Sequence, residues 1–117
     1  MLLQQHFNIN HINNDGENVL ISYVRCKLDN MGNTKYFTIN QLAIVEYLLI
    51  SGINANQQNT VGKTALMYAS EAGDIGIIKI LLLHSANKAL KDNLGKIAIE
   101  YNDLSYDYYN EINGLLG

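Results

Sequence analysis

The side chains able to do chemistry are few, and their spacing assigns them other work. His6, His11 and His84 match no zinc-ligand spacing, and Cys26 is the single cysteine, so no thiolate cluster can join them. His6 and His84 both fall where a helix gives way to a loop. Cys26 lies between Arg25 and Lys27, whose charge favours a thiolate, but no histidine stands at a spacing that suggests a partner base. An incidental cysteine is the simpler reading. Gly62-Lys63-Thr64 has the ending of a phosphate loop, yet Gln57 occupies the place of its first glycine. Glu100, Asp103, Asp107 and Glu111 read as a solvated face rather than an acid–base pair. For Tyr101, Tyr106, Tyr108 and Tyr109 two readings stand: rings closing the end of a core with hydroxyls in water, or an aromatic patch for a partner. No catalytic, metal-binding or cofactor-binding residue is expected, and the chain does not read as an enzyme.

Composition narrows the classes further. At 117 residues with 48% hydrophobic content, the chain has room for one domain or three to four units of a repeat array. A formal charge of −3 gives no general basic face for phosphates, so nucleic acid is not an expected partner. No apolar run approaches the roughly 20 residues needed to span a bilayer. Met1-Leu2-Leu3 is followed by Gln4 and Gln5, which leaves no signal-peptide core. With one cysteine, a soluble protein of a reducing cytosol is expected, its own cell's or a host's. Proline is absent and asparagine and isoleucine are abundant, a bias that an AT-rich genome would produce.

The elements that must position any site are repeated. Asn59-Thr60-Val61-Gly62-Lys63 aligns with Asp92-Asn93-Leu94-Gly95-Lys96 at a spacing of 33 residues, as do Leu48-Leu49 with Leu81-Leu82 and Asn54 with Asn87. Leu2-Leu3, Asn8, Asn10 and Gly16 match Leu48-Leu49, Asn54, Asn56 and Gly62 at an offset of 46. That offset places a 13-residue insertion between Gly16 and Leu48, around Leu28–Ile39. In the best unit Thr64 caps a first helix whose apolar stripe is Ala65, Leu66 and Ala69. Gly73 ends that helix in a left-handed conformation and Asp74 caps the next. Ile77, Ile78, Leu81 and Leu82 form the buried side of the second helix. Two such short helices cannot bury their apolar sides alone, so the units must stack.

Gly62-Lys63-Thr64-Ala65-Leu66-Met67-Tyr68-Ala69, Gly73 and Ile77-Ile78-Lys79-Ile80-Leu81-Leu82 together resemble the ankyrin repeat, with its Thr-Pro-Leu-His-x-Ala helix. Thr64-Ala65-Leu66-Met67 is similar to a bacterial variant of that motif. The resemblance implies an all-α solenoid of stacked helix-turn-helix units with hairpin loops projecting to one side. The expected division is 1–12, the tail of a preceding repeat; 13–58, a repeat with the insertion; 59–91, a full repeat; and 92–117, a C-terminal capping repeat whose second helix covers Tyr106–Leu116. Ala65 replaces the family's proline, and Met67 replaces the histidine that bonds the threonine hydroxyl. Tyr23 falls where a small alanine is usual, so either the first repeat packs differently or its register is shifted.

What the resemblance implies about function is a protein-interaction module, using hairpin tips and the concave face. Thr60 and Val61 on a turn, and Glu71 and Ala72 late in a first helix, fall at such positions. Lys63 and Lys96 are equivalent hairpin residues and Lys91 precedes a turn; with Lys88 they form the chain's lysine cluster. Two readings of Lys63, Lys91 and Lys96 stand: solubilising charge, or a docking edge for an acidic protein segment. Tyr36 and Phe37, adjacent aromatics on the insertion, either meet a partner or cover the first repeat. A homodimer through the N-terminal flank would cover the apolar residues of Met1–Gln5. The alternative function is a fragment or regulatory domain of a larger enzyme or effector whose active part lies elsewhere.

Overall fold

The computed structural model describes residues 8–29, 40–103 and 109–117. Among the described residues there are five α-helices: α1 (Val19–Asp29), α2 (Asn40–Ile50), α3 (Ala65–Ala72), α4 (Ile75–Leu83) and α5 (Tyr109–Leu116), with a 3₁₀ turn at Ala98–Tyr101 between the last two. They form two layers. In one, α1 packs on α3 and α3 on the 3₁₀ turn; in the other, α2 packs on α4 and α4 on α5.

The helix ends follow from single residues. The Thr64 hydroxyl accepts the Met67 N–H at 3.3 Å, and the Asp74 carboxylate accepts the Ile77 N–H at 3.1 Å. Gly73 turns left-handed at φ 68° and ends α3. Asn18, at the Thr64 position of the first repeat, caps α1 by accepting the Ile21 N–H at 3.0 Å. Lys27 occupies the place of Gly73 there, and without a left-handed stop α1 runs on to Asp29. The insertion is therefore partly spent on a longer helix. Residues 30–39, with Tyr36 and Phe37, lie outside the described residues, as do residues 1–7, with the N-terminal flank.

Between the layers lies one core. Leu20, Ile21 and Val24 of α1, Val45 and Leu49 of α2, Leu66, Met67 and Ala69 of α3, Ile77, Ile78 and Leu81 of α4, and Ile112 and Leu116 of α5 are buried together. Each large member contributes about 1.5–3 kcal/mol of burial. Leu82, expected on the buried side, is only partly buried. Met67 fills interior volume where the family's histidine would make a polar bond. Leu20, Ile21 and Val24 hold the register of Leu66, Met67 and Ser70, so Tyr23 does not shift the first repeat; it packs half-buried at the core's margin. Burial pushes its phenol up, with Cys26 adding to the shift, while Cys26 itself is exposed. The final helix is described over Tyr109–Leu116; residues 104–108, where the sequence places its start, lie outside the described residues.

Candidate functional site

The hairpins are built from one Asx motif used three times. The side-chain oxygen of Asn13 accepts the N–H groups of Asp15 and Glu17. Asn59 does the same for Val61 and Lys63, and Asp92 for Leu94 and Lys96. Each turn then bonds the next edge to edge: Thr60 N–H donates to Asp15 C=O at 2.9 Å, and Asn93 N–H to Val61 C=O at 3.0 Å. The Asn93 amide also donates to Thr60 C=O at 3.0 Å. Gly62 makes this approach feasible, because a Cβ there would stand 2.7 Å from the Asn93 backbone nitrogen.

A second ladder joins the loops at the opposite end of each repeat. Asn10 Oδ1 accepts the Asn54 N–H, and Asn56 Oδ1 accepts the Asn87 N–H, both at 2.7 Å. Much of the asparagine read as genome bias thus carries repeat-to-repeat bonds, and Ala89 stands at the next rung.

The side chains presented by these hairpins differ along the row. Glu17 is buried and paired with Arg25 at 2.8 Å. Burial opposes its charge, but the hydrogen bond and charge of Arg25 outweigh this and hold its carboxyl below the usual range. One repeat later the pair recurs with its signs exchanged: Lys63 meets Glu71 at 3.0 Å. The Lys63 ammonium also lies 4.8 Å from the Tyr68 ring centre and 4.5 Å from that of Tyr101. Lys96 approaches the Tyr101 ring at 5.5 Å. Two tyrosines and two lysines therefore alternate across the junction of the second and third repeats, each cation–π contact worth about 0.5–2 kcal/mol.

This alternation lines a groove of about 390 Å³, together with Val61, Leu94, Asn93 and the buried Asp92. Val61 and Leu94, at equivalent tip positions, are 52% and 76% exposed. The Tyr101 hydroxyl donates to the Asp92 carboxylate rather than to water, which corrects the expectation for that ring. Asp92 is buried, which opposes its charge; the bonds from Tyr101, Lys96 N–H and Leu94 N–H and the charge of Lys63 lower its carboxyl overall. Burial and then the Asp92 bond push the Tyr101 phenol well up. Asn59 makes the matching contact one repeat earlier, donating to the Tyr68 hydroxyl at 2.9 Å.

The structure divides the sequence candidates. Val61, Lys63 and Lys96 line the groove, Thr60 is exposed on the turn beside them, and Glu71 reaches in to Lys63. Ala72 ends α3, and Lys91 is exposed, its carbonyl accepting the Gln58 amide at 2.8 Å. Lys88 is turned elsewhere, donating to the carbonyls of Leu115 and Gly117 at the end of α5. His84 caps the end of α4 through its backbone N–H, Glu111 pairs with Lys79 at 3.1 Å, and Glu100 accepts the Ile97 N–H at 2.8 Å. Among the described residues no cluster of histidine, cysteine and carboxylates has metal-binding geometry, and no helix is long and apolar enough to cross a membrane. Sequence reasoning missed Tyr68, Leu94 and the groove role of Tyr101. The available signal was their spacing: Tyr68 and Tyr101, like Val61 and Leu94, are 33 residues apart.

A sequence profile described as ankyrin repeats in three copies matches residues 36–106. The chain is 33% identical over 107 residues to a probable serine/threonine-protein kinase of Dictyostelium discoideum, covering 86% of this chain and 12% of the kinase. It is 34% identical over 89 residues to a putative ankyrin repeat protein of Acanthamoeba polyphaga mimivirus, covering 76% of this chain and 19% of that protein. It thus spans less than a fifth of either relative's length. Among solved structures, the ankyrin repeat domain of Bcl-3, a member of the IkappaB protein family, superposes with a TM-score of 0.76 at 23% identity, over 98% of this chain and 43% of that one.

Proposed function

This chain belongs to the ankyrin-repeat family, and from that premise we propose that it is a protein-interaction module, without catalysis of its own, working in the cytosol of its own cell or of a host. Its proposed units are 1–12, 13–58, 59–91 and 92–117. The observation carrying this reading is the pair of exposed apolar tips, Val61 and Leu94, above a groove walled by tyrosines and lysines. Exposed apolar residues grouped beside aromatic rings favour a protein partner over solvent. The mechanism is rigid presentation. Backbone bonds between adjacent hairpins hold the tips in place before binding, so little conformational entropy is lost on docking.

The proposed contacts are Thr60, Val61, Lys96 and Lys91 on the hairpin side, with Lys63, Glu71 and Ala72 behind them; Tyr36 and Phe37 form a second candidate patch on the insertion. The test is affinity capture from lysate with the natural chain beside a Val61→Ser/Leu94→Ser variant. A partner retained by the first and lost by the second supports the module and locates its face. Equal retention would move the contact to Tyr36 and Phe37, and no reproducible partner would remove the reading.

A second reading, a regulatory domain within a longer enzyme, is favoured by the match to 12% of a probable protein kinase. Activity of a longer natural chain, measured with and without this segment, tests it.

A further inference from the structure

We infer that the groove between the second and third hairpins takes an extended acidic segment of a partner protein in which a carboxylate residue is flanked by an apolar one. The inference rests on the protein-interaction reading and adds the chemistry of the occupant.

Three charges line the groove, and two of them, one cation and one anion, are already committed. Lys63 is held by Glu71 and two tyrosine rings, 19% exposed. Asp92 is buried and its carboxylate accepts two backbone N–H groups and the Tyr101 hydroxyl, so it offers little to a visitor. Lys96 remains exposed, pairing with no carboxylate among the described residues, and Lys91 is exposed nearby in sequence. A carboxylate arriving at Lys96 would gain an ion pair over the face of an aromatic ring. Immediately beside it, Val61 and Leu94 offer apolar surface that water covers poorly.

The first junction shows what this combination excludes. There the exposed tip residue is Asp15 in place of Val61, and the next inward is Glu17, buried and paired with Arg25, in place of Lys63. The exposed charge of the row thus runs from Asp15 at one end to Lys96 at the other, so an acidic segment is disfavoured at the first and held at the second. With a formal charge of −3, a second copy of the chain or a nucleic acid is repelled by the protein as a whole. A short segment feels the local lysines instead.

The test is selection of short random peptides displayed on phage against the folded natural chain, followed by affinity measurement on synthetic peptides. The expected result is enrichment of aspartate or glutamate next to leucine, isoleucine or phenylalanine. Affinity should fall about tenfold or more in Lys96→Glu and in Leu94→Ser. A peptide with lysine in place of its acid should recover binding to Lys96→Glu alone. Both residues are exposed, so circular dichroism and the melting temperature should stay near the natural values. Peptides with no acidic bias, or indifferent to both variants, would overturn the inference while leaving the module reading intact. Displacement by an oligonucleotide of equal charge would overturn it in favour of unspecific attraction. A Leu94-dependent dimer in light scattering would overturn it in favour of a second copy. Failure to enrich any peptide would overturn it too, the module reading then standing or falling on the capture experiment.

Discussion

The two junctions between successive hairpins share one backbone and differ in almost everything they display. Both use an Asx turn, a left-handed glycine and an edge-to-edge N–H···O=C bond. At the first junction the side chains are Asp15, Ser22 and a buried Glu17–Arg25 pair; at the second they are Val61, Leu94, Tyr68, Tyr101 and a half-exposed Lys63–Glu71 pair. Scaffold and surface are thus set separately. The bonds that join one hairpin turn to the next come from backbone and Asx groups, so the outward tip side chains can vary without loosening those bonds.

Replacing the turn glycines breaks the comparison most strongly. Gly62→Ala forces a Cβ to 2.7 Å of the Asn93 backbone and 2.9 Å of the Asp92 Cα, besides the left-handed penalty. The expected cost is about 3 kcal/mol. Gly95 has a similar φ of 80° with nothing within 4 Å of the added carbon, so Gly95→Ala should cost only about 1 kcal/mol. Urea midpoints measure both, and equal values would mean that the hairpins do not pack as described.

Next in size are the buried acids. Glu17→Gln removes a charge from a side chain 3% exposed and partnered by Arg25, at an expected cost of about 1.5–3 kcal/mol. Glu71→Gln, at a side chain 39% exposed, should cost less than about 1 kcal/mol. Tyr101→Phe takes from Asp92 its hydroxyl donor and should cost about 1–3 kcal/mol.

The pH dependence separates these contributions. Glu17 and Asp92 have folded values below their unfolded ones, so their stabilisation is complete above the unfolded carboxylate range and is lost as pH falls through the folded values. Acid unfolding followed by circular dichroism should therefore begin at higher pH in Tyr101→Phe, whose Asp92 is less depressed. Tyr101 is shifted the opposite way: its stabilisation is complete below the unfolded phenol range and declines as pH rises above it. The smallest stability effect is Leu94→Ser, within about 0.5 kcal/mol of the natural chain because the side chain is exposed.

The scaffold was the more legible half in the sequence. A 33-residue spacing, a threonine before an apolar stripe and a glycine-aspartate pair after it specify helix starts and stops through local bonds, and local bonds can be read from neighbours in the chain. The three extra residues of α1 were legible only in retrospect, from Lys27 at the place of a terminating glycine. The groove was harder to see because its walls come from different repeats. Tyr68 and Tyr101 belong to successive units, and Lys63 stands between them only once those units are stacked. Lys63, read as an edge charge, is largely occupied by that stacking, while Leu94 gains its importance by standing beside Val61.

The most direct test of the account places a photo-crosslinking amino acid at Leu94 in one protein and at Asp15 in another, the two tips being equivalent in the repeat. Irradiation in lysate, followed by mass spectrometry, should give a discrete protein adduct from position 94 and none from position 15. Equal adducts at both tips, or an adduct at position 15 alone, would contradict the assignment of docking to the second junction.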